Sequence, residues 1–182
     1  TAVSSGERPG DASAKKTQEL ISKGLETSYE ATFSYDNTLV AVDILHKEDG
    51  KWQLYEVKST NSVKPEHIKD VAIQYYVTKG SGLDLEDIFL MHFNRDYVRH
   101  GEIVVRDLFL PESILQGVLD YQPEIKTKIP ELLQMLKGDE PCIAMGDQCE
   151  NPYHCDFYEY CSRLLPAVEE EPVELSSTPE IQ

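Results

Sequence analysis

Three charged residues interrupt otherwise apolar, strand-forming sequence: Asp43 in Ala41-Val42-Asp43-Ile44-Leu45, then Glu56 and Lys58 in Leu54-Tyr55-Glu56-Val57-Lys58. Two unpaired carboxylates held about 5 Å apart repel each other, and a shared divalent cation relieves that repulsion. Lys58 lies two residues past Glu56, so on a strand it projects from the same face. Two acidic ligands and an ammonium on one surface have the makings of a cation-dependent site for an anionic group. The competing reading is an exposed sheet face carrying an ordinary Lys–Glu ion pair.

Whether the carboxylates meet depends on register. Asp49-Gly50 is a two-residue turn of the type that needs positive φ, and counting outward places Lys47 opposite Trp52, Leu45 opposite Leu54 and Asp43 opposite Glu56. Val42, Ile44, Tyr55 and Val57 alternate with the charged set and are expected to form the buried side, which would pin the register. Asp36-Asn37 is a second tight turn, and the same counting sets Glu30 opposite Asp43. Three strands are therefore expected, near 28–35, 38–47 and 51–60.

The surrounding elements follow from periodicity. A helix is expected over 14–23, with Leu20 and Ile21 inward and a stop at Gly24. Pro65 suits a first helical turn, and Ile68, Val71, Ala72, Tyr75 and Tyr76 continue at helical spacing to about Lys79. His67, Asp70 and Gln74 recur one turn apart on that helix. A buried strand over 87–93, an edge strand over 102–108, and a helical stretch over 113–136 broken near Pro123 and Pro130 complete the core.

Composition narrows the class. The 182 residues allow one domain with a real core, or a domain with a small appendage. No apolar run reaches membrane-spanning length and no signal segment is evident, so a cytoplasmic protein without membrane contact is expected. The net charge of −16 argues against simple coating of nucleic acid. It does not exclude a carboxylate-rich metal site, where bound cations reverse the local field. Residues 1–13 read as a disordered lead-in, 14–138 as the core with its following helices, 139–165 as a cysteine-rich tail and 166–182 as an acidic disordered tail.

All four cysteines, Cys142, Cys149, Cys155 and Cys161, fall within that tail. Clustered cysteines in an intracellular chain point to ligation of metal or an iron–sulphur cluster rather than to disulfides. The spacings lack the short CxxC knuckles of common zinc sites, and aromatic residues surround them. Four thiolates suit [4Fe–4S]; zinc would accept four sulphurs, or three with His154.

Asp43 followed by Glu56-Val57-Lys58 on the next strand, in the order helix, three-stranded antiparallel meander, helix, strand, resembles the PD-(D/E)XK signature of restriction-endonuclease-like α/β cores. With the stretch from Cys149 to Cys161, the chain is similar to the iron–sulphur branch of RecB-like nucleases, closest to an uncharacterised bacterial family of that type. The resemblance covers about 15–163. It implies a DNA nuclease in which Asp43, Glu56 and the Val57 carbonyl bind Mg²⁺ or Mn²⁺, with Glu30 a candidate outer ligand. Lys58 would orient the attacking water and stabilise phosphoryl charge, and Gln74 would match the glutamine of the helix motif, although Thr78 stands where that motif has tyrosine. Cys142, Cys149, Cys155 and Cys161 would hold the [4Fe–4S] cluster, Cys142 replacing a cysteine usually found far upstream. DNA is the expected partner, along with an N-terminal segment of the same protein or a larger DNA-processing complex. A catalytically silent binding scaffold of the same fold is the alternative.

Overall fold

The computed structural model describes residues 10–164, and the chain divides into two compact units, Thr1–Glu140 and Pro141–Gln182. The first unit is mixed α/β. Its elements run α1 (Asp11–Ser22), β1 (Thr27–Tyr35), β2 (Thr38–Glu48), β3 (Lys51–Val57), α2 (Pro65–Gly80), β4 (Leu85–Phe93), α3 (Val105–Leu108), β5 (Phe109–Ser113), α4 (Leu115–Asp120) and α5 (Gln122–Met135). The second holds a 3₁₀ turn, Asp147–Cys149, and α6 (Tyr158–Leu164). Most of the expected lead-in and the whole 166–182 tail lie outside the described residues. Among the described residues no helix is long and apolar enough to cross a membrane.

The five strands form one sheet in sequence order. β1–β2, β2–β3 and β4–β5 are antiparallel, whereas β3–β4 is parallel, with α2 as its crossover. The Asp49-Gly50 turn sets the expected register: Lys47 pairs with Trp52, Leu45 with Leu54 and Ile44 with Tyr55. Beyond Ile44 the ladder opens.

The buried face differs from expectation. On β3 the core side is Trp52, Leu54 and Glu56, while Tyr55 is half-buried and Val57 exposed. The crossover explains this, because α2 covers the sheet with Val71, Ala72 and Val77, which join Leu45, Leu54, Ile88 and Leu90 in one core. Glu56 is therefore carried inward with the apolar set. A parity change on the neighbouring strands accompanies it: Leu45 and Ser28 are buried on one side of the Asp43/Glu30 position, and Val42, Ala31 and Phe33 on the other. Glu30 itself has φ +53°, a left-handed backbone that interrupts the pairing between Tyr29–Ile44 and Ala31–Val42. Asp36, Asn37 and Asp49 share positive φ but occupy turns. Glu30 sits within a strand, where such a conformation costs of order 1–3 kcal/mol and tends to mark a functional site.

Further boundaries are corrected. α1 begins at Asp11; it buries Ala14 and Thr17, while Ile21, expected inward, packs half-buried against the core and Leu20 is half-buried, and the Thr17 hydroxyl accepts the Thr32 backbone N–H at 3.0 Å. Residues 102–108 are not an edge strand. That strand is β5, which tolerates Pro111 because it has one neighbour, and Phe109 stacks on Phe93 at 5.1 Å. The helix breaks at Tyr121, before Pro123, yet continues through Pro130, because Ile125 and Ile129 keep their place in the core.

Candidate functional site

The site is a two-rung contact between β3 and α2. Glu56 near the end of β3 and Lys58, one residue beyond it, are two residues apart, about 6.6 Å in extended chain. Along α2, Asp70 and Gln74 are separated by about 6 Å, one helical turn. Matched spacings let both rungs close. Lys58 Nζ donates to Asp70 Oδ2 at 2.7 Å, and Gln74 Nε2 donates to Glu56 Oε2 at 2.8 Å. Lys58 also bridges across the rungs to Glu56 Oε1 at 2.7 Å.

Asp43 reaches the site differently from the register expectation. Instead of a direct Asp43–Glu56 pair, the Asp43 carboxylate accepts the Val57 backbone N–H through Oδ2 at 2.7 Å. The side chain thus occupies a place the ladder would otherwise give to backbone. It remains close enough for its charge to act on Glu56. Glu30 is exposed, and among the described residues its side chain makes no hydrogen bond or ion pair with the others.

Burial sets the electrostatics. Glu56 is 6% exposed and Gln74 7%. Burial pushes the Glu56 carboxyl above its ordinary pKa, against the opposing hydrogen bonds from Lys58 and Gln74, and the Asp43 charge pushes the same way. For Lys58, burial works to lower the pKa, but the hydrogen bonds and charges of Asp70 and Glu56 outweigh it and hold the ammonium well above the usual lysine range. His67 spends Nδ1 on the Lys64 backbone N–H at the start of α2, and burial lowers its pKa.

The donor set fits a hard divalent cation in kind, with two carboxylates and an adjacent backbone carbonyl at Val57. A further sign is Gln74 Oε1, which is buried without a hydrogen-bond partner. A buried acceptor without a donor is uncommon, and a water on a bound cation is the kind of donor that would satisfy it. Among the described residues no group of three or more His, Cys, Asp or Glu side chains is arranged to hold a metal. The same holds for the second unit. Cys142 is exposed, Cys149 buried, and Cys155 and Cys161 half-buried, all as free thiols. The Cys155 N–H donates to the Cys149 carbonyl at 2.8 Å, and His154 pairs with Glu150 at 3.0 Å. The thiols are right in type for a cluster, but they are not gathered into one.

Asp70 is the member that sequence reasoning left without a role. The available signal was spacing: a helix placing Asp70 and Gln74 one turn apart can meet a strand placing Glu56 and Lys58 two residues apart. Recognising it requires knowing that α2, which packs over β1 and β2, reaches the end of β3 with the side chains of Asp70 and Gln74.

No protein-family model and no curated protein matches the chain. Among solved structures, one titled "Crystal structure of SSO0001" is similar at 16% identity and a TM-score of 0.38, over 82% of this chain and 67% of that one.

Proposed function

We propose that the chain is a metal-dependent DNA nuclease with a restriction-endonuclease-like core, in which Asp43, Glu56 and Lys58 form a PD-(D/E)XK site. The observation that carries this reading is the closed β3–α2 contact. An acidic residue, a buried glutamate and a lysine meet on one surface, and the lysine is anchored by a helix rather than left in solvent. Asp43, Glu56 and the Val57 carbonyl would hold Mg²⁺ or Mn²⁺, with Glu30 as an outer candidate. The bound cation would supply Lewis-acid activation of the phosphoryl oxygen and of water.

The residues of the chain supply the rest. Lys58 stays an ammonium through the neutral range, so it does not act as a general base. Its work is electrostatic: orienting water and stabilising charge on the phosphoryl oxygens. Asp70 keeps the ammonium in place when Glu56 is engaged elsewhere. Gln74 fixes one Glu56 oxygen and leaves its own carbonyl to accept a further donor. The Val57 N–H holds the Asp43 carboxylate against the opened end of the ladder.

In the second unit, Cys142, Cys149, Cys155 and Cys161 would hold a [4Fe–4S] cluster that staples the tail, with zinc as the alternative. Anaerobically purified protein is expected to be brown and to contain iron; colourless protein with stoichiometric zinc would replace the cluster by a zinc site.

A second reading is a nuclease-like scaffold without catalysis. It draws on one observation: both Glu56 oxygens are already satisfied by Lys58 and Gln74, so that carboxylate is partnered without a cation. DNA degradation with Mn²⁺ separates the two. Wild-type protein should cleave, and Asp43→Asn and Lys58→Ala should each lose about 100-fold or more. Wild-type rates in either variant would overturn the nuclease assignment. Calorimetric Mn²⁺ binding that is unchanged in Glu56→Gln would place the cation elsewhere.

A further inference from the structure

At the C-terminal end of α2 the first unit contains an open cavity of about 420 Å³, lined chiefly by Tyr35, Tyr75, Tyr76, Lys79, Gln122 and Lys126. Its walls are held in place. The Tyr35 ring lies directly against the backbone of Gly80, so close that a Cβ there would fall within the ring's own contact radius. Tyr76 meets Tyr35 edge-on at 5.4 Å, and its hydroxyl donates to Asp36 at 3.0 Å. Buried Gln122 ties the start of α5 to α2 by donating to the Ala72 carbonyl at 3.1 Å and the Val118 carbonyl at 3.0 Å. Tyr35 and Tyr76 therefore line the cavity on a fixed frame.

Charge gives the cavity its preference. Lys79 pairs with Asp84 at 2.7 Å, but both partners are solvent-exposed, and such a pair is worth little and exchanges readily. Lys126 has no ion-pair partner among the described residues. Lys79 and Lys126 flank the tyrosine rings, and the neighbouring anions Asp36 and Asp84 are engaged by Tyr76 and Lys79, which leaves Lys126 as the cation open to a ligand. The combination suits a ligand with a flat π-face and an attached anion, which is a nucleobase with its phosphate. Paired bases hide their faces in the stack, so an unpaired strand fits and a duplex does not.

We propose that this cavity is a holding site for a nucleotide of a single-stranded DNA segment, with a base against the Tyr35/Tyr75/Tyr76 wall and a phosphate at Lys126 and Lys79. The identity of the strand as DNA rests on the nuclease reading, whereas the cavity itself does not. Lys79 stands about 13 Å along α2 from Asp70, the anchor of Lys58. A strand held here would run along the helix toward the β3 site, a few nucleotides from it.

The test is binding of fluorescein-labelled oligo-dT, measured by anisotropy in EDTA so that cleavage cannot intervene, with dTMP in a parallel arm. Wild type should bind the oligonucleotide. Lys126→Ala should weaken binding about fivefold or more and reduce the salt-dependence slope by about 0.7, the value for one phosphate contact on a single strand. Tyr35→Ser should weaken it as well. Lys128→Ala, on the same helix but paired with Glu131, should change it less than twofold. Equal binding by the Lys126 and Lys128 variants would overturn the site, and continued Mn²⁺-dependent cleavage by both would leave the nuclease reading standing. Binding of dTMP but not of oligo-dT, with the same sensitivity to Lys126→Ala, would keep the cavity as a nucleotide site and overturn the strand. Neither binding nor cleavage by wild type would overturn both proposals.

Discussion

The β3–α2 site and the cysteine unit hold their chemistry in opposite ways. In the first, the fold supplies the partners: Lys58 is held by Asp70 and Glu56, Glu56 by Gln74, and Asp43 by the Val57 N–H. In the second, four thiols lie within a short stretch of chain without being gathered, and Tyr153, Phe157 and Leu164 expose large apolar surface. The first arrangement is preorganised by packing. In the second, Cys149 is the one buried residue among those described, and under the proposed ligation a metal would do the gathering. In small metal-stapled units the free energy of ligation becomes folding free energy.

The largest expected effect tests that contrast directly. Stripping metal from the intact chain by strong chelation should abolish amide-exchange protection in 147–164, while β2, β3 and α2 keep theirs. Cys149→Ser, which removes the buried thiol, should do the same without a chelator. Protection in 147–164 that matches the sheet after metal removal would break the comparison, because packing alone would then hold both regions.

A smaller effect is expected from the anchor of Lys58. Asp70→Asn keeps the shape of the contact but removes a charge that holds the ammonium in place and raises its pKa. The turnover number should fall about tenfold, corresponding to about 1.4 kcal/mol, with KM within about twofold. Asp70→Glu, which keeps the charge, should retain most of the turnover number, whereas a merely structural role would make the shape-conserving Asp70→Asn the milder change. If Asp70→Asn leaves the turnover number unchanged, Asp70 is an ordinary surface partner of Lys58.

The two regions also differ in how much of them the sequence discloses. Asp49-Gly50 determines pairing because a two-residue turn leaves one register, and the observed Lys47–Trp52 and Leu45–Leu54 pairs follow it. Which face is buried is another matter. Alternation is symmetric between faces, and α2 decides by covering the side that carries Leu54 and Glu56. The left-handed backbone at Glu30 leaves no residue-type signal, since glycine rather than glutamate announces such a conformation. Residues 102–108 misled through β-branched Ile103, Val104 and Val105, all exposed, whereas the true edge strand is selected by pairing with β4. Cysteine clustering is fully legible, but sulphur geometry is not, because nothing local to the chain determines it.

The smallest expected effect concerns what the buried site costs the fold. The Glu56 carboxyl has a higher pKa folded than unfolded, chiefly through burial. The folded state therefore binds this proton more tightly. The stability it contributes is fully present below the unfolded value of about 4.3 and is lost as pH rises through the raised folded value. At neutral pH the ionised carboxylate therefore contributes less to stability than the protonated form does at low pH. Glu56→Gln in metal-free protein should thus be more stable than wild type at pH 7 to 8, by on the order of 1 kcal/mol, and the advantage should vanish as pH approaches 4. Thermal denaturation in EDTA across that range measures it. An advantage that persists at pH 4 would trace to packing rather than charge. A loss of stability at neutral pH would mean that the bond from Lys58 outweighs desolvation, making Glu56 a structural ion pair rather than a carboxylate held in reserve.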